Sequence, residues 1–320
     1  KLAEDHHVKW LLICKTKRES TIIGHKKQEF KLNNIDFIIQ PYIDLPFPMR
    51  KAYSTLDAIR VFTKYAGLFI KQQNSIYYLD RSNVILAFLI KKIFRPIVVL
   101  RILGVYPSQK KITKGLIYNI KTPITYFAYK TKFDLCIGTQ DGSGTEFYLP
   151  ELVNASTQIE VLINGVDLTF SNNENLINER LEILFVGSFT NAKGIMEFIA
   201  AANQLQRYND KLQFNIVGKG FLCKEMMEMI KQYNLEDFVS VLGSLNKNQL
   251  SDLYKHSDIY VSLNKLGNLS NTVLEALAAG MCVMILEKDL DKHIDEFTDE
   301  FVGTEIAIRL SRDNTVNDFV

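Results

Sequence analysis

The segment LEILFVGSFTNAKG, residues 181–194, decides the fold class of this chain. Its first six residues are apolar except for Glu182, a composition typical of a strand buried within a sheet. Gly187 then permits a tight turn, and a helix with one apolar face begins near Gly194. A strand–turn–helix junction leaves backbone N–H groups without partners, and the helix dipole adds positive potential beside them. The segment therefore predicts an α/β domain with an anion-binding helix start.

The segment SNTVLEALAAG, residues 270–280, predicts a second helix that follows a polar loop. Lys193 in the first segment suits phosphate oxygens as a point charge, and Glu275 in the second suits the two hydroxyls of a ribose. Two structural interpretations stay open beside these. Lys193 also suits a solvated helix surface, and Thr272 with Glu275 also fits a capping box. The surrounding motifs favour the nucleotide interpretation.

Strands and helices alternate from residue 181 to residue 286, which requires parallel pairing and right-handed crossovers. We therefore expect a doubly wound sheet with its ligand at the carboxyl ends of the strands. Gly187, Gly218, Gly243 and the loop 264–271 all fall at such ends. The expected strands are residues 181–186, 212–217, 238–242, 258–263 and 281–286, and the expected helices are residues 194–208, 222–233, 248–256 and 271–279.

The first half of the chain predicts a less regular α/β domain. The loop 139–145, with the sequence TQDGSGT, suits either a phosphate-binding nest or a flexible turn beside an interdomain cleft. Residues 168–180 are polar and are predicted to form a linker. The expected strands of this half are residues 8–14, 37–40, 76–79, 97–102, 134–138 and 159–163, and the expected helices are residues 54–71, 83–93 and 123–129.

The composition is that of a globular protein, with 320 residues of which 47% are apolar and 23% charged. This length favours two domains, each with its own core. No apolar run is long enough to span a membrane. Cys14, Cys136, Cys223 and Cys282 are widely separated, so they predict core thiols in a reducing compartment and not a disulfide framework or a zinc site. The chain begins with Lys1 and not with Met, and we expect a fragment that lacks both ends.

The charge is divided unevenly between the two halves. Residues 1–165 carry 24 Lys+Arg and 13 Asp+Glu, whereas residues 166–320 carry 14 and 23. The net charges are therefore +11 and −9. A basic half points to an anionic partner such as a membrane surface, an acidic acceptor or nucleic acid. We expect the membrane surface and no nucleic acid, and a solvated basic face without a partner is an equally good interpretation.

The order and spacing of several motifs resemble the family 4 glycosyltransferases, a resemblance that covers residues 130–287 well and residues 1–130 weakly. It implies the GT-B fold, in which two Rossmann-like doubly wound α/β domains face each other across a cleft. The domains would be residues 1–167, on the acceptor side, and residues 181–320, which bind the donor. The matching motifs are NGVD at 164–167, VG at 186–187, KG at 193–194, IVGKG at 216–220, VLG at 241–243, SDIY at 257–260 and SNTVLEALAAG at 270–280.

The resemblance implies a role for individual residues. Lys193 would contact the donor diphosphate, N–H groups of Leu269–Thr272 would bind phosphate, and Glu275 would hold the ribose. Arg101 ends a strand at a position comparable with that of the family's catalytic histidine. The candidate donor-binding residues are Gly187, Ser188, Lys193, Gly218, Gly243, Gly267, Leu269, Ser270, Asn271, Thr272 and Glu275.

Two departures from the family pattern matter, and the second puts catalytic competence or sugar identity in doubt. Ser188 stands where many members have arginine, and Gly267 stands where many have a second glutamate. The family's Gly-rich acceptor loop has no match and would precede Lys1.

The expected function is retaining transfer of a sugar from a UDP- or GDP-type nucleotide sugar to a glycan or lipid-linked acceptor. The resemblance implies that neither a metal nor a cofactor is needed. The expected role is bacterial surface polysaccharide synthesis in the cytoplasm, at the inner face of the plasma membrane. The alternatives are a catalytically weak nucleotide-binding paralogue that serves as a partner subunit, and a GT-B nucleotide-sugar epimerase.

Overall fold

The computed structural model describes residues 8–13, 28–32, 35–40, 53–71, 75–166, 180–303 and 305–320. These fall into two compact units, Lys1–Val61 and Phe62–Val320. The predicted linker lies outside the described residues except for Arg180. In the described part of the chain, no helix combines the length and hydropathy needed to cross a bilayer.

The first unit contains a three-stranded sheet in the order β1-β3-β2. Its strands are β1 (Val8–Ile13), β2 (Gln28–Leu32) and β3 (Ile35–Gln40). β1 pairs with β3 in parallel, and β2 pairs with β3 antiparallel. The apolar strands β1 and β3 were predicted, whereas the mixed sequence QEFKL of β2 gave no strand signal. Helix α1 (Tyr53–Lys71) follows the sheet, as its apolar periodicity predicted.

The second unit begins with a four-stranded parallel sheet in the order β4-β5-β6-β7. Its two inner strands bury a continuous apolar layer that includes Val98, Leu100, Ile102 and Cys136. The strands are β4 (Ile76–Asp80), β5 (Ile97–Ile102), β6 (Leu135–Gln140) and β7 (Gln158–Ile163), and the helices are α2 (Val84–Phe94), α3 (Pro107–Thr113), α4 (Pro123–Tyr129) and α5 (Thr145–Leu152).

A six-stranded sheet follows in the order β10-β9-β8-β11-β12-β13, with every neighbouring pair parallel. This confirms the predicted doubly wound sheet and places its topological switch point between β8 and β11. The strands are β8 (Leu181–Val186), β9 (Leu212–Val217), β10 (Val239–Gly243), β11 (Ile259–Ser262), β12 (Cys282–Leu286) and β13 (Ala307–Leu310).

The helices of this sheet bury the apolar faces that periodicity predicted. In α6, Phe198 is fully buried and its ring lies 5.3 Å from Phe185 and 5.4 Å from Phe214 between centroids. The helices are α6 (Ile195–Leu205), α7 (Cys223–Gln232), α8 (Lys247–His256), α9 (Asn271–Ala278), α10 (Thr298–Val302) and α11 (Thr315–Phe319).

The prediction that all cysteines are core thiols was wrong for two of them. Cys136 is buried in β6, and its burial raises the pKa of the thiol to about 12. Cys223 and Cys282 are exposed, because one begins helix α7 and the other begins strand β12. Cys14 lies outside the described residues.

Candidate nucleotide-binding site

Three glycines lie at the carboxyl ends of the neighbouring strands β8, β9 and β10. The Gly187 N–H donates to Val217 O at 3.0 Å, and the Gly218 N–H donates to Gly243 O at 2.7 Å. Gly218 has φ +142°, and a Cβ there would lie 1.8 Å from Gly187 O. Glycine is therefore required at 218 for the two loops to touch. Gly243 also has positive φ (+69°), but nothing lies within 4 Å of a Cβ at that position.

Lys193 ends a 3-10 turn, Asn191–Lys193, that leads into helix α6. Gly194 next to it has φ +72°, and a Cβ there would lie 2.4 Å from Leu263 Cβ at the end of β11. The Lys193 side chain is half-buried, and burial lowers the pKa of its amine, although the charge of Asp141 opposes this. Among the described residues no carboxylate lies within ion-pair distance of Lys193. Its ammonium is therefore available to an anionic ligand.

The loop 264–271 is tied both to the turn of Lys193 and to itself. The Lys265 N–H donates to Ala192 O at 2.8 Å. Inside the loop, Asn268 Oδ1 accepts from Ser262 Oγ at 2.8 Å and from the Asn264 N–H at 3.2 Å. The loops after β8 and β11 thus meet at the switch point of the sheet, where a doubly wound fold holds its ligand.

Helix α9 begins at this point, with Ser270 as its N-cap residue. Thr272 Oγ1 accepts from the Tyr260 hydroxyl at 2.7 Å, which fixes the first turn against β11. Within the described part of the chain, the N–H groups of Ser270, Asn271 and Thr272 have no acceptor. They point from the positive end of the helix dipole and suit a phosphate.

Leu269 differs from its three neighbours. Its N–H donates to Asp141 O at 3.2 Å, and its side chain is fully buried. The predicted phosphate contact through the Leu269 N–H is therefore wrong for this arrangement, because that group already has a protein acceptor.

Glu275 does not take part in a capping box. Ser270 is the N-cap, so Thr272 lies inside the helix and Glu275 one turn further on. Its Oε2 accepts from the Tyr254 hydroxyl at 3.3 Å. Burial raises the pKa of the Glu275 carboxyl, while the bond from Tyr254 and the charge of Lys247 lower it. The side chain is half-buried at the start of α9, and one carboxylate oxygen has no hydrogen-bond donor among the described residues.

Gly267 lies against the loop after β6 and has no room for a side chain. Its φ is +137°, and a Cβ there would lie 2.5 Å from Gly142 C and 2.6 Å from Asp141 O. Gly142 faces it, with φ +83°. The proposed donor contact of Gly267 is thus limited to backbone atoms. Ser188, the other departure, is exposed at the end of β8 and adds no charge.

Asp141 is the carboxylate whose charge acts on Lys193, and the sequence did not single it out. Its Oδ1 accepts from the N–H and hydroxyl of Ser143 at 3.0 and 2.5 Å, and its Oδ2 accepts from the Tyr106 hydroxyl at 3.3 Å. The loop 139–145 is therefore held by internal bonds and largely buried, an arrangement that does not favour the flexible-turn interpretation. The TQDGSGT motif was the sequence signal that could have drawn attention to Asp141. The motif does not indicate which loops of the other sheet the residue would lie against.

Asp295 is a second residue that sequence reasoning missed. It is 3% exposed and accepts from the Asn268 N–H at 2.6 Å, from Asn268 Nδ2 at 2.8 Å and from Arg312 at 3.2 Å. Its own N–H donates to Gly142 O at 2.7 Å. Burial raises the pKa of the Asp295 carboxyl to about 6. This side chain holds the loop after β11 beside the loop after β6.

Arg101, the candidate catalytic residue, lies near the end of β5 and reaches helix α9 only through another side chain. It donates to Thr139 Oγ1 at 2.6 Å and to Asn164 Oδ1 at 3.3 Å. Asn164 Nδ2 in turn donates to Asn271 Oδ1 at 2.6 Å. Arg101 is therefore linked to the start of helix α9 through one intervening residue, Asn164.

A pocket of about 340 Å³ borders the loop 264–271 at Leu266. Lys110 on α3 stands over the Tyr148 ring at 4.2 Å and donates to Lys292 O at 3.1 Å. Burial lowers the pKa of Lys110, and the charge of Lys292 adds to this effect. The lining residues are Val105, Pro107, Lys110, Lys111, Lys114, Tyr148, Leu266, Asp291, Lys292 and Ile294.

The fold and these loops define an α/β protein with a candidate anion-binding site at the switch point of its six-stranded sheet. The sequence profile of the glycosyl transferases group 1 family matches residues 168–289 of this chain. An uncharacterized glycosyltransferase of Methanocaldococcus jannaschii is 29% identical over 142 residues, covering 40% of this chain and 36% of the relative. A GDP-mannose:cellobiosyl-diphosphopolyprenol alpha-mannosyltransferase of Xanthomonas oryzae is 24% identical over 170 residues, covering 52% and 43%. The chain thus spans less than half of these curated relatives.

Solved structures extend the likeness over nearly the whole chain. Sucrose-phosphate synthase from Thermosynechococcus elongatus matches 98% of this chain and 77% of its own, with a TM-score of 0.72 at 15% identity. Anabaena HepE, solved with UDP and glucose, matches 90% and 76%, with a TM-score of 0.65 at 12% identity. At such identities the likeness concerns the fold, which is GT-B as predicted.

Proposed function

We propose that this chain is a retaining glycosyltransferase that moves a sugar from a nucleotide diphosphate sugar to a glycan or lipid-linked acceptor. The observation that carries the proposal is the contact between the turn of Lys193 and the loop that leads into helix α9. The Lys265–Ala192 bond joins their two loops, and three N–H groups of the helix start have no acceptor in the described part of the chain. A diphosphate satisfies both the ammonium and these N–H groups.

The chemistry is electrostatic. The bond between the anomeric carbon and the diphosphate oxygen breaks, a bond from an acceptor hydroxyl to that carbon forms, and the hydroxyl proton passes to an oxygen of the departing diphosphate. Lys193 and the N–H groups of Ser270, Asn271 and Thr272 neutralise the charge that grows on the leaving diphosphate. Glu275 would bind the ribose diol through its carboxylate.

Asp141 supplies a carboxylate to the sugar side of the site, since Gly267 has no side chain. Its contacts with Ser143 and Tyr106 use part of its accepting capacity, because a carboxylate offers about four lone-pair positions. We therefore assign Asp141 the role of accepting a hydrogen bond from a sugar hydroxyl.

The donor is of the UDP or GDP type. HepE was solved with UDP, and the Xanthomonas relative is named for GDP-mannose. That relative is also named for a diphosphopolyprenol acceptor. The pocket lined by Lys110, Lys111 and Lys114 suits such an anionic acceptor, which supports a role in surface polysaccharide synthesis at the inner face of the plasma membrane. The predicted electrostatic attraction of the basic half to an anionic membrane belongs to this proposal.

A second candidate is a nucleotide-binding paralogue with little catalytic power. The observation that favours it is the contact at Gly267, which excludes the glutamate that many family members have there. Ser188 likewise leaves the diphosphate without an arginine.

The deciding experiment incubates the chain with a panel of UDP- and GDP-sugars and polyprenyl diphosphate-linked sugars, and scores transfer, hydrolysis and epimerisation. Transfer supports the enzyme, binding without turnover supports the paralogue, and epimerisation would overturn both. In parallel, calorimetry compares UDP and GDP with uridine and guanosine. Lys193→Ala should weaken diphosphate binding by about 2 kcal/mol, or roughly 30-fold, and leave nucleosides unaffected. Lys224→Ala, on exposed helix α7, is the matched control.

A further inference from the structure

The segment after helix α3 presents large apolar side chains to solvent. Ile117 is 87% exposed, Ile120 is 76% exposed and Tyr118 is 60% exposed. Helix α4 packs beside this segment and exposes further apolar residues. A single exposed apolar residue is ordinary, but a contiguous set marks an interaction surface. We call this set the apolar face; it consists of Leu116, Ile117, Tyr118, Ile120, Ile124 and Phe127.

The apolar face is held in place by Asn119. This side chain is 2% exposed, and its Nδ2 donates to Gly115 O at 2.7 Å and to Lys111 O at 3.0 Å. The backbone carbonyl of Asn119 accepts a hydrogen bond from the Thr122 N–H at 2.8 Å. The inward bonds of Asn119 fix the 3-10 turn Leu116–Asn119 so that its apolar neighbours face outward. The exposure is therefore built into the fold of this segment.

The surroundings of the apolar face are strongly basic. The stretch from Arg81 to Phe133 contains eleven Lys+Arg and no Asp or Glu. Lys111, Lys114 and Lys121 flank the face and are exposed. No carboxylate of the described residues lies within ion-pair distance of these three lysines.

We propose that the apolar face docks onto an anionic bilayer, with Ile117 and Ile120 entering the headgroup region and the flanking lysines contacting lipid phosphates. Apolar side chains bordered by cations match a surface that carries negative headgroups above hydrocarbon. A second copy of this chain is a poorer occupant, because its own lysines would face these lysines. The proposal rests on the proposed function in one respect: an enzyme with a lipid-linked acceptor meets that acceptor at the membrane surface.

Insertion distinguishes this proposal from attraction by charge alone. Screening by salt removes most of the attraction between exposed lysines and headgroups, whereas burial of isoleucine is not screened. Binding to anionic vesicles should therefore fall as salt rises but retain a salt-resistant part. Isoleucine and lysine substitutions should remove different parts of the binding.

The experiment is co-sedimentation of the full chain with vesicles of phosphatidylcholine, with and without phosphatidylglycerol, at low and high salt. Ile117→Asp with Ile120→Asp should weaken binding at high salt by about tenfold or more per side chain. Ile306→Asp is the matched control, because Ile306 is 61% exposed in the second half of the chain. Changing Lys111, Lys114 and Lys121 to Gln should weaken binding at low salt by about fivefold per lysine and leave the salt-resistant part.

Thermal midpoints and nucleotide affinities of all variants are measured beside the vesicle assay. Unchanged vesicle binding by the isoleucine variant would overturn the proposal, as would an equal loss in the Ile306 control. A wild-type dimer that the isoleucine variant dissociates without loss of vesicle binding would assign the face to contact between copies and overturn it as well. Loss of vesicle binding by the isoleucine variant with normal UDP affinity supports docking. A wild-type chain that binds vesicles but no nucleotide would contradict the proposed function and leave the docking proposal intact.

Discussion

Replacing Gly267 by alanine should disrupt the contact between the loops after β6 and β11. Gly267 has φ +137°, a conformation that residues with a side chain rarely adopt. A Cβ would lie 2.5 Å from Gly142 C, 2.6 Å from Asp141 O and 2.7 Å from Ser143 N. All three atoms belong to the backbone, so no rotamer change relieves the clash. One of the two loops has to move.

The magnitude follows from two additive effects. A non-glycine residue in a sparsely populated backbone region costs about 1–3 kcal/mol. Forcing packed atoms apart costs about 1–3 kcal/mol more. The free energy of unfolding should therefore fall by roughly 2–6 kcal/mol. Since about 1 kcal/mol shifts the midpoint of a domain of this size by about 2–4 °C, the thermal midpoint should drop by roughly 10 °C.

Two other glycines separate the backbone effect from the clash. Gly243 has φ +69° with nothing within 4 Å of a Cβ, so Gly243→Ala should cost only about 1–2 kcal/mol. Gly165 has neither positive φ nor a close neighbour, and Gly165→Ala should leave the stability nearly unchanged or slightly raised. Urea and thermal unfolding followed by circular dichroism measure all three. Equal midpoints for Gly267→Ala and Gly243→Ala would refute the close contact at Gly267.

Further predictions concern charge. Because burial lowers the pKa of Lys193 and a bound diphosphate raises it again, affinity for UDP should fall as pH rises through the lowered pKa, and Lys193→Arg should flatten this dependence in calorimetry. Glu275→Gln should weaken nucleotide binding about tenfold while the thermal midpoint barely moves, and unchanged affinity would return Glu275 to a structural role. The pKa of Asp295 is raised to about 6, so protonation favours the folded chain and this stabilisation is lost as pH rises through 6. Relative to Asp295→Asn, wild-type unfolding free energy should fall by about 2 kcal/mol between pH 4 and pH 7; parallel curves in urea titrations would contradict this.

The six-stranded sheet was predictable because each of its first four strands is a short apolar run followed by an amphipathic helix, and the fifth strand is a further apolar run. Such periodicity depends only on residues close in sequence, so it can be recognised without knowledge of tertiary contacts. β13 was missed because Arg309 interrupts the apolar run of its four residues. Helix α5 was missed because Pro150 interrupts its pattern, although buried Leu149 and Leu152 hold it in place.

The position of several candidate site residues in the fold could be predicted from sequence because strand ends and helix starts are fixed by local pattern. Lys193, Ser270 and Glu275 lie on such junctions. Asp295 and Tyr254 could not be found this way, since their partners are distant in sequence and come together only through packing. The Leu269 N–H was assigned to phosphate because its acceptor, Asp141 O, is distant in sequence and lies in the loop after β6.

The absence of a glutamate at 267 gains a physical explanation from the loop that faces it. Gly142 and Gly267 exclude a side chain at each other's position, and the Asp295 carboxylate binds the loop of one while its N–H binds Gly142 O. The contact therefore needs glycine on both sides, and restoring glutamate at 267 alone would push the loops apart. The same contact brings the Asp141 carboxylate within electrostatic reach of Lys193. The loop after β6 thus supplies a carboxylate near Lys193 where position 267 supplies none, so we expect activity to depend on the two loops staying in contact.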